Sequence, residues 1–281
     1  MDKENRPGDH VISYYDTHPI NEQQILKAIK TKIKNRQKIT SNSLCEFDQD
    51  HFGGLNATKN LAQLTDMKRG KKVLDVCSGV GGPARFFADK FDCEVTGIDL
   101  TKSRHETAIK LTNLVGLQQK VKFVLGNATN MPFTDEKFDI VIGQEAWCHI
   151  PDKEKLIKEC CRVLKVGGRM AFTDIVKNQF TSVETLKKLT KEMTFNNLAS
   201  DSIYKALLTK HGFKITSLVD LSERWAEILV KRLDMYKQLG DETSRIYGAA
   251  RQKEWDKVYT HFVDTYQSGE LGGVQILATR N

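Results

Sequence analysis

Proline is scarce in this chain, five residues in 281, and no run of apolar residues approaches the roughly 18 that a bilayer-spanning helix requires. No membrane span is expected. The opening residues, MDKENRPGDH, lack the apolar stretch of a secretory signal, so a cytoplasmic location is expected. Six cysteines are present, Cys45, Cys77, Cys93, Cys148, Cys160 and Cys161, but none forms a Cys-x-x-Cys pair and no Cys/His set has zinc spacing. They read as reduced and mostly buried, with no metal site expected. There is no internal repeat and no low-complexity segment. Hydrophobic residues make up 40 % of the chain, enough for a packed core.

The formal net charge is +7, and much of the excess lies in KAIKTKIKNRQK, with Lys27, Lys30, Lys32, Lys34, Arg36 and Lys38. A basic face can meet nucleic acid or anionic lipid. Here Ile25, Leu26, Ile29 and Ile33 give the same segment an apolar side, so it reads as an amphipathic helix with a solvated basic face. No aromatic residues interleave the charges as a single-strand groove would need. Nucleic acid is therefore not an expected partner.

What the chain does contain is an alternation. KKVLDV, CEVTGIDL, KVKFVL, FDIVIGQ and RMAFTDIV are short apolar runs, separated by helical patterns such as PARFFADKF, HETAIKLTNLVGL and KEKLIKECCRVLK. Short buried strands alternating with helices predict a parallel sheet with right-handed crossovers and helices on both faces. Two more strands follow, KITSLVDLS and LGGVQILATRN, separated by a long helical block. The prediction is an α/β, Rossmann-like, seven-stranded, mostly parallel sheet. Residues 1 to 68 form an N-terminal helical lid segment, 69 to 222 the core, 223 to 268 a helical cap insertion near the active site, and 269 to 281 the final core strand.

The most informative stretch is VLDVCSGVGG. A strand ends there, and Gly79, Gly81 and Gly82 allow a tight turn and close backbone approach to a ligand. Pro83 suits the first turn of the next helix, whose free N–H groups and partial positive charge favour an anionic or polar ligand. Gly79-x-Gly81-x-x-Ala84 also satisfies the nicotinamide fingerprint, and Asp99, 20 residues on, fits ribose hydroxyls in either a dinucleotide or S-adenosylmethionine (SAM). Two features favour SAM. Asp75 sits inside the strand, where a carboxylate can accept from an ammonium group or orient the loop. The chain also continues into a helix-separated strand pair where a second mononucleotide-binding half would stand.

The series VLDVCSGVGG, VTGIDL, GNA, FDIVIGQEA and RVLKVGGRMAFTD resembles, in order and spacing, the motifs of class I SAM-dependent methyltransferases over about residues 71 to 175. DHFGGLNAT, EAWCH and the FTD of strand five are most similar to the branch containing sarcosine/dimethylglycine and phosphoethanolamine N-methyltransferases. The resemblance implies that Asp75, Gly79 and Gly81 contact the methionine part of SAM, Asp99 holds the ribose hydroxyls, and Leu100 packs beside the adenine. It implies that Asn127 and Ala128 meet the adenine edge, the former through its amide carbonyl, and that Gln144 lies beside the sulfonium. The alternative for Asn127 is capping a turn, and for Gln144 satisfying local backbone.

Methyl transfer requires an aligned nucleophile, exclusion of water, and removal of a proton from a protonated acceptor. Glu145 and His149 are four residues apart just past strand four. If a helical turn begins at Glu145 they share a face and can pair, which would raise the basicity of the histidine. In the resembled phosphoethanolamine enzymes an acid and a histidine at this spacing serve the reaction with an N-terminal tyrosine; here the candidate is Tyr15, with Tyr14 beside it. His51, Phe52, Gly53 and Gly54 can close over the methionine tail. Trp147, Trp225, Trp255 and Tyr259 are candidate aromatic walls, and Arg224, Arg232, Arg245 and Arg251 candidate anchors for an acceptor carboxylate or phosphate.

The expected function is a SAM-dependent methyltransferase acting on a small molecule, at an amine nitrogen of the glycine/sarcosine/dimethylglycine or phosphoethanolamine type, as a monomer or homodimer. The alternatives are C- or O-methylation of a lipid-like or aromatic acceptor and, in another class, a nicotinamide-dependent oxidoreductase. DNA amino-methylation is not expected, because the chain after strand four reads QEAW without an Asn/Asp-Pro-Pro-aromatic loop.

Overall fold

The apolar runs fold as strands and the segments between them as helices. The computed structural model describes residues 8 to 32 and 38 to 281. Ile33, Lys34 and Arg36 of the basic stretch, and the first seven residues, lie outside the described residues. Helices α1 (Asp9–Asp16), α2 (Glu22–Lys32), α3 (Ser41–Leu44) and α4 (Gly54–Leu64) precede the sheet. The core then runs β1 (Lys72–Val76), α5 (Gly82–Phe91), β2 (Glu94–Asp99), α6 (Lys102–Leu114), β3 (Val121–Leu125), β4 (Phe138–Gln144), α7 (Lys153–Val163) and β5 (Leu164–Lys177). Helices α8 (Val183–Met193) and α9 (Asp201–Lys210) lead to β6 (Phe213–Asp220); α10 (Ser222–Gln238), α11 (Gly240–Tyr247) and α12 (Ala249–Gln267) separate it from β7 (Leu271–Arg280).

The seven strands form one sheet in the order β3-β2-β1-β4-β5-β7-β6. β1 to β5 pair in parallel, and β7 runs antiparallel to both β5 and β6. Strand order reverses between β1 and β4, so the crevice beyond their C-terminal ends is the topological switch point where open α/β sheets take ligands. The central strands are buried on both faces, which is why they read as continuous apolar runs and not as alternating ones. One detail departs from the sequence reading: Leu164 already pairs with Phe138, and the VGG segment is a bulge within β5 before Arg169 pairs with Ile140.

The N-terminal helices and the block from 222 to 267 pack on one another. Ile25, Ile29, Leu44, Phe52, Trp225, Leu229, Trp255 and Phe262 belong to a single apolar cluster. The indole of Trp225 lies so close to β7 that a Cβ on Gly273 would sit 2.2 Å from it. The segment after α3 is tied into the core by an ion pair between Asp48 Oδ2 and Arg85 Nη2 at 2.8 Å, with both side chains fully buried. Arg85 also donates through Nη1 to Thr112 Oγ1 and the Ala108 carbonyl, so its fork is satisfied on three sides and its burial is offset.

Candidate functional site

A cavity of about 720 Å³ opens at the switch point, within the size range of small-molecule and cofactor sites. Its walls come from the glycine loop after β1, the end of β2, the loop after β3, the end of β4, and the N-terminal segment around Tyr15 and His51.

The glycine loop turns through Cys77, Gly79 and Gly81, all with positive φ. A Cβ on Gly81 would lie 2.5 Å from the Phe123 ring, and one on Gly82 2.0 Å from the Asp48 carbonyl oxygen. Glycine is required at both positions by packing against the protein itself. Gly79 has open space in front of it; its positive φ and its N–H, which donates to Asp99 Oδ2 at 2.8 Å, set its role. Asp99 Oδ1 accepts from the Thr101 N–H at 2.8 Å. Burial raises the Asp99 pKa, against which these two N–H donors act.

Asp75 is an unsatisfied acidic group of the site. It is buried, its Oδ2 has no hydrogen-bond partner, and burial together with the nearby Asp99 charge pushes its pKa up to about 7. A buried carboxyl left open in this way calls for a cationic or donating ligand group. Leu100 is 37 % exposed beside the cavity, with Gly8 passing close over it. The Asp75, Asp99 and Leu100 set thus offers a cation acceptor, a hydroxyl acceptor and an apolar surface. Those are the complements of the ammonium, ribose and adenine of SAM, so the residues present fit that group.

Asn127 takes the turn-capping role that was the alternative to an adenine contact. Its Oδ1 accepts from the Thr129 N–H and hydroxyl, both at 2.9 Å, so the carbonyl caps its own loop and what remains for a ligand is the amide N–H. Ala128 is buried in the core beneath, and Asn127 and Thr129 form the wall there. Gln144 lines the cavity and donates from Nε2 to His51 Nδ1 at 3.1 Å. Since an amide nitrogen only donates, His51 carries its proton on Nε2, which faces Thr58 Oγ1 at 2.9 Å and Gln49 Oε1 at 3.2 Å. Burial lowers the His51 pKa to about 4.

Glu145 and His149 both line the cavity, but they do not pair with one another. Glu145 has φ 53°, an unfavourable conformation for a non-glycine residue, and the following turn, Trp147–His149, is 3-10. The i,i+4 helical face is never formed. The Glu145 carboxyl instead accepts from the Phe52 N–H and from Thr173 Oγ1, and burial raises its pKa to about 8. His149 Nδ1 faces the Thr194 carbonyl at 3.2 Å and Thr194 Oγ1 at 2.9 Å, and Nε2 faces the Tyr15 hydroxyl at 3.0 Å. A carbonyl can only accept, so the imidazole proton sits on Nδ1 and the Nε2 lone pair points to Tyr15. Burial lowers the His149 pKa to about 4, the reverse of the rise expected from a glutamate partner. Tyr14 packs away from the cavity, its ring 5.4 Å from that of Trp255.

The aromatic and arginine candidates of 223 to 268 are not on the cavity wall. Trp225, Trp255 and Tyr259 are core, and Trp147 stacks on Phe172 with centroids 4.2 Å apart. Arg232 comes nearest, through an ion pair with the cavity residue Asp50. Sequence reasoning missed Asp50, Arg104 and Thr194. Asp50 stands at the head of the DHFGG segment and could have been singled out; Arg104 and Thr194 carry no local signal.

The sequence profile of the methyltransferase domain matches residues 74–172. The methyltransferase GfsG of Streptomyces halstedii is 34 % identical over 174 residues, covering 61 % of this chain and 63 % of that protein. Phosphoethanolamine N-methyltransferase 3 of Arabidopsis thaliana is 30 % identical over 190 residues, 68 % of this chain and 38 % of that protein. The chain thus spans less than two thirds of the length of these relatives. Among solved structures, Haemonchus contortus phosphoethanolamine N-methyltransferase 2 in complex with S-adenosyl-L-methionine superposes with a TM-score of 0.75 at 21 % identity, over 96 % of this chain and 59 % of that one. With the motif order, the switch-point cavity and the β7 inserted antiparallel between β5 and β6 all in agreement, residues 74–172 are a methyltransferase domain, and the chain has the fold of the class I SAM-dependent methyltransferases.

Proposed function

We propose that the chain transfers a methyl group from SAM to a small-molecule acceptor at an amine nitrogen, of the glycine/sarcosine/dimethylglycine or phosphoethanolamine type. The observation that carries this reading is the single cavity that joins Asp75, Gly79 and Asp99 at one end to Tyr15, Glu145 and His149 at the other. Asp99, already aligned by Gly79 and Thr101, would hold the ribose hydroxyls, and Asp75 the ammonium. Leu100 would lie against the adenine, and Gln144, fixed by His51, beside the sulfonium. When bound, SAM supplies an activated methyl group.

The protein's share is positioning and proton handling. An ammonium acceptor has no lone pair until it loses a proton. The neutral imidazole of His149, with its proton held on Nδ1 by Thr194, presents an unprotonated Nε2, and Tyr15 sits on that nitrogen as the group through which a proton can pass. Glu145 is a second proton-holding group at neutral pH. Tyr15, Glu145 and His149 give this side hydrogen-bonding groups that a polar acceptor can use. Incubation with labelled SAM and a panel of glycine, sarcosine, dimethylglycine, phosphoethanolamine, phenols and lipids tests the reading. Label transfer to an amine supports it, and transfer only to a phenol or lipid overturns the amine assignment.

A further inference from the structure

Arg104 is a charged side chain in the cavity whose donors are only partly used. It lies in the first turn of α6, five residues after Asp99, and is 5 % exposed. Nη1 donates to the Ile20 carbonyl at 2.8 Å and lies 3.7 Å from Asp50 Oδ2. Nε and Nη2 are buried with no acceptor at all. The Tyr15 ring lies 5.0 Å from the guanidinium carbon, which stabilises the charge but satisfies neither N–H. Asp50 is shared, its Oδ1 accepting from Arg232 and its Oδ2 facing Nη1 alone of the Arg104 nitrogens, so it meets neither Nε nor Nη2. His18, 3.8 Å from Asp50, is held neutral by burial, with its pKa lowered to about 3.

Nε–H and one N–H of Nη2 make the parallel donor pair of a guanidinium edge, which matches the two oxygens of a carboxylate or phosphate. Leaving such a pair buried and unmet costs free energy that a bidentate anion would recover. We infer that Arg104 is an anion-binding residue of this cavity, closing on a carboxylate or phosphate through Nε and Nη2. The inference rests on the SAM-site reading. The anion has two sources: the amino-acid carboxylate of the cofactor, or an anionic group on the acceptor. None of the four cap arginines singled out in the sequence lines the cavity; Arg104 does.

The test is calorimetric titration of the full chain and of Arg104→Met with S-adenosylhomocysteine, 5′-methylthioadenosine, which lacks the amino-acid tail, and inorganic phosphate in the presence of S-adenosylhomocysteine. Binding of the first two by the unaltered chain checks the SAM-site reading on its own. If the cofactor carboxylate is the ligand, Arg104→Met weakens S-adenosylhomocysteine at least about tenfold and leaves 5′-methylthioadenosine unchanged. If an acceptor anion is the ligand, both nucleosides bind as before and phosphate binding is lost. Equal affinities in all three titrations, or equal weakening of both nucleosides, overturns the inference. Should Arg104→Met fail to fold, Arg104→Lys, which keeps the charge but not the planar pair, is titrated in its place, with the same outcomes deciding.

Discussion

The hydroxyl of Tyr15 lies 3.0 Å from Nε2 of His149, across 134 residues of sequence. The phenol donates to the imidazole because the other ring nitrogen is committed to Thr194. One hydrogen bond therefore joins the N-terminal segment to the loop after β4, on the wall of the cavity.

From this arrangement, His149→Ala is expected to lower turnover by roughly 10²-fold, with Tyr15→Phe costing less because the ring stays over Arg104. Initial rates at saturating SAM, with the acceptor found by the panel, measure both. Normal turnover in His149→Ala would leave the residue with a packing role only.

Asp99→Asn keeps the shape of the side chain but removes its charge and one acceptor. Hydrogen bonds to a charged group contribute about 1.5–3 kcal/mol, so affinity for S-adenosylhomocysteine should fall by roughly one to two decades with the circular dichroism spectrum unchanged. Unaltered affinity in a calorimetric titration would remove the ribose assignment.

Stability should fall as pH rises from about 6.5 to 8. Burial raises Glu145 to about 8 and Asp75 to about 7. The native chain then holds protons that the unfolded chain has already released, so stability present at low pH is lost as pH passes through these values. His18, His51 and His149, lowered to about 3, about 4 and about 4, act in the other sense. Their contribution is complete above the ordinary imidazole value near 6.5 and is lost as pH falls toward 4, so they offset the carboxyls only below 6.5. Thermal melts at pH 6.5 and 8 should show the drop, and Glu145→Gln should flatten it. An identical drop in that variant would contradict the assignment.

Asp48→Ala strands Arg85 as an unpaired charge with no exposure. Removing one partner of such a pair costs about 3–5 kcal/mol, which urea unfolding would register as a large fall in midpoint. A change within about 0.5 kcal/mol, typical of surface sites, would mean the pair is not part of the core.

The sheet was legible because its central strands are buried on both faces and its glycine loop is local chemistry. Val73 to Gly82 could be read as strand, turn and helix start from adjacent residues alone. The cavity walls were legible where a strand tip carries the residue, as with Asp75, Asp99 and Gln144. They were not legible where one backbone angle decides. Left-handed Glu145 breaks the helical spacing that would have paired it with His149. Nor could the sequence join Asp50 to Arg232 or Asp48 to Arg85, because ion pairs formed across the fold leave no periodicity. The cap arginines looked suitable by type and composition, yet the arginine on the cavity wall is Arg104, in a helix turn that reads as ordinary polar surface.

The most direct measurement is a crystal structure of the chain grown with S-adenosylhomocysteine. The account predicts an adenosyl group across the ends of β1 and β2, both sugar hydroxyls within hydrogen-bonding reach of the Asp99 carboxylate and the ligand ammonium near Asp75. A ligand seated elsewhere with this cavity vacant, or one whose sugar turns away from Asp99, would contradict it.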